Sequence, residues 1–89
     1  MTKTSSQTAL VTGAAKRLGH EVAIHLASQG YNIALHYNSS KVEAMKTAQV
    51  IYRLGVRCEL FCADLANEAE VKNLVPVVYK AFPKLNVLV

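Results

Sequence analysis

The chain has 89 residues, 52% of them hydrophobic and 18% charged, a composition that suits one small folded domain and excludes a disordered segment. The formal charge of +4 gives a weak attraction for anions, but Lys and Arg form no cluster, so a nucleic-acid partner is not expected. No apolar run approaches the roughly eighteen residues of a membrane span, and the polar start Met1 to Gln7 leads into an apolar stretch too short for a signal-peptide core, so a cytoplasmic protein is expected.

Thr8-Ala9-Leu10-Val11 reads as a strand ending at a glycine turn. From Leu18 to Gln29 the spacing predicts a helix, with Leu18, Val22 and Leu26 four apart, Ala23 and Ala27 beside them, and Gly30 as its stop. Asn32 to Tyr37 is a second strand, apolar on both faces as a buried parallel strand requires. Asn38-Ser39-Ser40 makes a turn able to cap a helix from about Lys41 to Leu54, which Gly55 closes. Arg57 to Ala63 is the third strand, followed by the loop Asp64-Leu65-Ala66.

Asn67-Glu68-Ala69-Glu70 has the capping-box spacing and opens a helix whose apolar side is Val71, Leu74, Val75, Val78 and Phe82. Pro76 interrupts this pattern, so either the helix kinks there or it begins later than Asn67. Leu85 to Val89 is a fourth strand. The order β-α-β-α-β-α-β predicts an α/β fold, a Rossmann-like open parallel sheet with helices on both faces. Cys58 and Cys62 lie four steps apart on one strand, about 13 Å, beyond the roughly 7 Å a disulfide spans. Both are expected to be buried packing residues.

The chemistry is concentrated where the first strand meets the first helix. Gly13 can take a backbone conformation closed to other residues, and Gly19 allows close approach to the sheet or to a pyrophosphate. A strand, a glycine turn and a helix start aim bare amides at an anion. The bland alternative is a tight turn with no ligand. A P-loop is disfavoured, because no Gly-Lys-Ser/Thr end is present.

The end of the second strand separates two cofactors. An acid there bonds the ribose hydroxyls of NADH, but the chain has His36-Tyr37-Asn38-Ser39-Ser40 instead. Hydroxyls, amides and a helix start accept a 2′-phosphate that a carboxylate would repel. With Lys16 and Arg17 on the adjacent loop, NADPH is favoured over NADH. Ser39 or Ser40 can also simply cap the helix. His36 has two readings of equal weight, a neutral hydrogen-bonded strand end or a contact to the cofactor's phosphate or ribose. Asp64 ends the third strand at the ligand edge of the sheet and suits the adenine amino group, with the Leu65 amide beside it; the alternative is a plain loop aspartate.

The run Thr12-Gly13-Ala14-Ala15-Lys16-Arg17-Leu18-Gly19 resembles the cofactor loop of short-chain dehydrogenases/reductases. Arg17 stands where the common pattern has glycine, and with His36 to Ser40 it resembles the pteridine reductase branch, which includes dihydromonapterin and dihydrofolate-type reductases. Asp64-Leu65 resembles the family's adenine-binding pair, and Leu85 to Val89 the strand that leads beneath the cofactor.

The resemblance implies cofactor contacts at Gly13, Arg17, Leu18, Gly19, His36, Tyr37, Asn38, Ser39, Ser40, Asp64 and Leu65. Arg17 would reach toward the phosphate-bearing ribose, Leu18 would offer its amide to the pyrophosphate, and Tyr37 would line the adenine pocket. It also implies hydride transfer from NADPH to a pteridine or dihydrofolate-like ring, with a β-ketoacyl or other carbonyl compound as the alternative. The family's catalytic serine and Tyr-x-x-x-Lys pair, carried on a later helix, are not mapped onto this chain, so no catalytic residue is assigned. Residues 1–89 are accordingly expected to be the N-terminal, nucleotide-binding part of one Rossmann domain, from a homo-oligomeric reductase. A non-catalytic NADPH-binding remnant and a flavin or methyl-donor protein are the other readings, and the Arg17 loop argues against the last two ligands.

Overall fold

The computed structural model describes residues 7–13 and 17–89. Its elements are β1 (Thr8–Val11), α1 (Arg17–Ser28), β2 (Asn32–Tyr37), α2 (Lys41–Tyr52), β3 (Cys58–Cys62), α3 (Glu68–Ala81) and β4 (Leu85–Leu88). All four strands are parallel, in the order β3-β2-β1-β4. The predicted Rossmann-like fold is therefore the observed one. From β1 the chain steps outward to β2 and β3, then returns across β1 to β4. The direction reverses between β1 and β4, which opens a crevice at the carboxyl ends of the strands.

Strand alternation divides the core into two layers. Ala9, Val11, Ile33, Leu35 and Cys58 face α1 and α2, where Ala23, Ala27, Ala44, Ala48 and Ile51 meet them. Leu10, Ala34 and Ala63 face the other way, against Leu74, Val78 and Phe82 of α3 and its end. Small alanines on α1 and α2 let those helices lie close to the sheet. The large side chains Leu10, Ile33, Leu35, Ile51 and Phe82 are completely buried, each worth about 1.5–3 kcal/mol.

The helix limits have local causes. Asn67 caps α3, its side-chain oxygen accepting from the Ala69 and Glu70 amides at 3.0 and 3.2 Å. The helix thus begins at the predicted cap and runs through Pro76 unbroken. Pro76 and Lys72, whose carbonyl loses its usual partner, are both exposed, so the missing hydrogen bond falls on the solvent side of the helix, where it costs least. At the opposite end of the sheet, the Arg57 guanidinium lies 4.3 Å from the centre of the Phe82 ring and pairs with Glu59, closing the rim of the α3 layer.

The two cysteines differ, contrary to expectation. Cys58 is 2% exposed beneath α2, and burial, with a smaller effect of Glu59, pushes its thiol up to about 12. Cys62 is exposed at the carboxyl end of β3, with its thiol directed to the Asn38 carbonyl at 3.3 Å. The two share a face, but β3 carries Cys62 out to the end of the sheet. In the folded protein, a disulfide reagent at neutral pH is expected to titrate Cys62 rapidly and Cys58 only after denaturant is added. Two fast thiols would overturn this assignment. Because Cys58 ionises less readily folded than unfolded, its contribution to stability is intact below pH 9.0 and is lost as the pH rises toward about 12. A Cys58→Ala variant should show a flatter alkaline decline in Tm.

Candidate nucleotide site

Three strand ends converge on one buried ring. His36, 2% exposed, points from β2 toward the α3 layer. The Gly13 amide donates to its Nδ1 at 3.0 Å, and its Nε2 meets the Ala63 carbonyl at 2.8 Å. Nδ1 must accept and Nε2 must donate, which only the neutral Nε2–H tautomer can do. Of the two readings of His36, the geometry matches the hydrogen-bonded strand end. Neither ring nitrogen is left for a phosphate or a ribose.

Gly13 takes the backbone conformation expected of it. Its φ of +62° turns the backbone as a glycine permits, but the amide faces inward to His36 and is not one of the bare donors of a phosphate cradle. Lys16 lies outside the described residues, as do Ala14 and Ala15. The Arg17 side chain also lies outside them. Leu18 is 77% exposed in the first turn of α1, where no acid opposes an anion.

A cleft of about 470 Å³ opens above the His36 ring. Gly13 forms one side, His36 to Ser40 the floor and second side, and Asp64 to Ala66 the third. Of the predicted residues, the structure brings together Gly13, His36, Tyr37, Asn38, Ser39, Ser40, Asp64 and Leu65 around this cleft, whereas Leu18 and Gly19 lie in the first turn of α1. Ala66 joins the wall without any chemical signal in its sequence position.

Ser40 sits at the N-cap of α2 but its side chain makes no capping hydrogen bond. Backbone carbonyls of Ser39 and Ser40 take the Lys41 and Ala44 amides instead, both at 3.0 Å. The expected side-chain cap is thus absent, and on the cleft wall the Ser40 hydroxyl has no hydrogen-bond partner among the described residues. The Tyr37 hydroxyl is held above its ordinary 10.0 by desolvation and then by the adjacent Cys62, so it is a neutral phenol. Tyr37 stands four residues before Lys41, the spacing of the family's Tyr-x-x-x-Lys pair. The two lie on a strand end and a helix start rather than on one helix, so they do not reproduce the family's catalytic pair.

Asp64 is held in a tight turn. Its Oδ1 accepts from the Ala66 amide at 2.9 Å and its carbonyl from the Asn67 amide at 2.9 Å. Its amide donates to Glu70 Oε1 at 2.8 Å. The predicted capping box is therefore only half formed, because Glu70 reaches past Asn67 to the Asp64 amide. Elsewhere, His20 Nδ1 meets Thr47 Oγ1 at 2.6 Å and ties α1 to α2, a packing role away from the cleft. No group of residues suited to a metal ion exists among the described residues.

Residues 7–89 match the family model for short chain dehydrogenase. The chain belongs to this family. It is 38% identical over 84 residues to the 3-oxoacyl-(acyl-carrier-protein) reductase FabG of Staphylococcus aureus, covering 94% of this chain and 34% of that protein. A short chain dehydrogenase from Burkholderia cenocepacia, solved in complex with NADP, superposes with a TM-score of 0.88 at 34% identity, over 94% of this chain and 34% of that one. Acetoin dehydrogenase from Enterobacter cloacae gives a TM-score of 0.88 at 25% identity, over 93% of this chain and 33% of that one. The chain thus spans about a third of the length of the relatives it matches.

Gly13→Ala is expected to cost about 1–2 kcal/mol, the penalty of a side chain at a left-handed backbone position. No described atom lies within 4 Å of the added Cβ, so strain and not collision sets the loss. Denaturant unfolding checks this, and Gly13→Asn should lose less. An alanine variant as stable as the parent would show that the positive φ is not maintained.

Proposed function

We propose that this chain is the nucleotide-binding part of an NADPH-dependent short-chain reductase acting on a carbonyl compound. The observation that carries the cofactor choice is the end of β2, where the cleft is walled by Tyr37, Asn38, Ser39 and a free Ser40 hydroxyl, with no carboxylate. Such a wall suits a 2′-phosphate, and the start of α2 adds its dipole. The NADP complex of the Burkholderia cenocepacia relative supports the same reading.

Bound there, NADPH would supply hydride to an electrophilic carbon. This chain's residues would hold and orient it. Asn38, Ser39 and Ser40 would accept the 2′-phosphate, with Arg17 beside them. Tyr37, Asp64 and Leu65 would flank the adenine. Gly13, Leu18 and Gly19 would shape the approach to the pyrophosphate, and His36 would keep the surrounding turns in place.

For the substrate, the relatives support a carbonyl compound, since one is a 3-oxoacyl reductase and another an acetoin dehydrogenase. A 3-oxoacyl thioester or a small ketone is therefore favoured over the pteridine ring implied by Arg17 and His36 to Ser40. Membership in the family supports an oxidoreductase over a binding remnant.

The test is calorimetric titration of the full protein with NADPH and with NADH, followed by assays on a 3-oxoacyl thioester, a small ketone and a dihydropteridine. NADPH should bind more tightly and the thioester or ketone should be reduced. Ser40→Asp should weaken NADPH by roughly tenfold or more, about 1.4 kcal/mol per factor of ten, and leave NADH nearly unchanged. Equal affinities in the parent protein would refute the cofactor choice, and turnover of the dihydropteridine alone would restore the pteridine substrate.

A further inference from the structure

The Ala63–Asp64 peptide is gripped from both sides. Its carbonyl accepts from His36 Nε2 at 2.8 Å, and its amide donates to Glu70 Oε1 at 2.8 Å. In a trans peptide these two groups point in opposite directions across one rigid plane. Bonds on both sides therefore fix the rotation of that plane. The bonds of the Asp64 carbonyl to the Asn67 amide and of Oδ1 to the Ala66 amide then fix the turn about the Asp64 N–Cα bond, so that the direction of the side chain follows the plane. The Ala63 amide, bonded to the Tyr37 carbonyl at 3.1 Å, anchors the same unit to β2.

What the grip presents is half of a carboxylate. Asp64 Oδ1 is held by the Ala66 amide, whereas Oδ2 has no protein partner among the described residues. The Asp64 side chain lies on the cleft wall, so that oxygen is available to a donor in the cleft. Helix capping does not account for the position of Glu70. Asn67 already receives the Ala69 and Glu70 amides, and the Asn67 amide goes to the Asp64 carbonyl.

We propose that Glu70 and His36 are positioning residues that aim the free oxygen of Asp64 at the exocyclic amino group of a purine. Neither touches the nucleotide through a polar atom; each acts through the peptide they share. The inference rests on the NADPH reading above, and its consequence is a selectivity for adenine over hypoxanthine, whose C6 oxygen cannot donate.

The experiment compares the affinity of the full protein for NADPH and for deamino-NADPH, in which hypoxanthine replaces adenine. The parent protein should prefer NADPH by about tenfold, the value of one hydrogen bond to a charged group. Glu70→Met, at an exposed helical position, keeps the helix and removes the acceptor, and should bring the two affinities to within about threefold with little change in Tm. Glu70→Gln keeps an acceptor oxygen and should retain the parent's preference. His36→Phe should behave as Glu70→Met does where it folds, and the Glu70 pair decides the matter where it does not.

An unchanged ratio in Glu70→Met would overturn the proposal. So would an equal loss for both ligands accompanied by a lower Tm, the signature of a residue that only supports the helix. A parent protein that binds both ligands equally would refute the role of Asp64 while leaving the cofactor reading intact. Failure to bind either ligand would remove that reading, and this inference with it.

Discussion

The imidazole of His36 determines how the three strand ends are spaced. A parallel sheet aligns its strands, but beyond their last ladder bonds the chains are free to diverge into their loops. His36 prevents this by accepting from the Gly13 amide and donating to the Ala63 carbonyl. The bridge runs across the sheet from the turn after β1 to the chain after β3. Its Ala63 side is buried, so that bond stands where an unpaired polar group would be costly, while its Gly13 side is only partly buried. An aliphatic side chain would fill the volume, leave the buried Ala63 carbonyl unsatisfied and release the Gly13 amide. An acid could accept from Gly13 but, when ionised, could not donate to Ala63.

That constraint redistributes the anion-binding capacity of the site. With the Gly13 amide directed inward, the described backbone donors open to an anion are those of the helix starts. The α2 start is suited to this, because Ser40 leaves its hydroxyl free where a capping serine would have used it. Gly13 thus supplies the turn expected of it, and Ser40 keeps the hydroxyl that a cap would have used.

The fold was legible because its signals are periodic and redundant. Strand alternation, four-residue helical spacing and the stops at Gly30 and Gly55 all agree, and the observed elements differ mainly at their ends. The cleft residues were legible as positions, since His36 to Ser40 span the end of β2 and Asp64 follows β3 at the same edge of the sheet. Their bonding was not. Which way an amide faces, or whether a hydroxyl caps its own helix, depends on contacts between residues far apart in the chain, such as Gly13 with His36 and His36 with Ala63. Cys62 shows the same limit, because alternation gives its face but not how far the covering layer extends. The Pro76 break was overestimated for a related reason, as propensity counts the lost bond and ignores solvent at an exposed turn.

Glu70 illustrates how one sequence signal can conceal another. Its spacing from Asn67 satisfies a rule for starting helices, and α3 does start there. Yet Asn67 meets the first-turn amides alone, which frees the carboxylate of Glu70 to reach the Asp64 amide. The element that begins α3 is therefore also the element that shapes the third side of the cleft. Because His36 holds the opposite side of the same peptide, the α3 layer and the phosphate-loop turn are joined through two hydrogen bonds and one planar unit. A displacement of either turn must rotate that plane or break one of the bonds. The geometry of the cleft is thus a property of the sheet and α3 together, and not of any one loop.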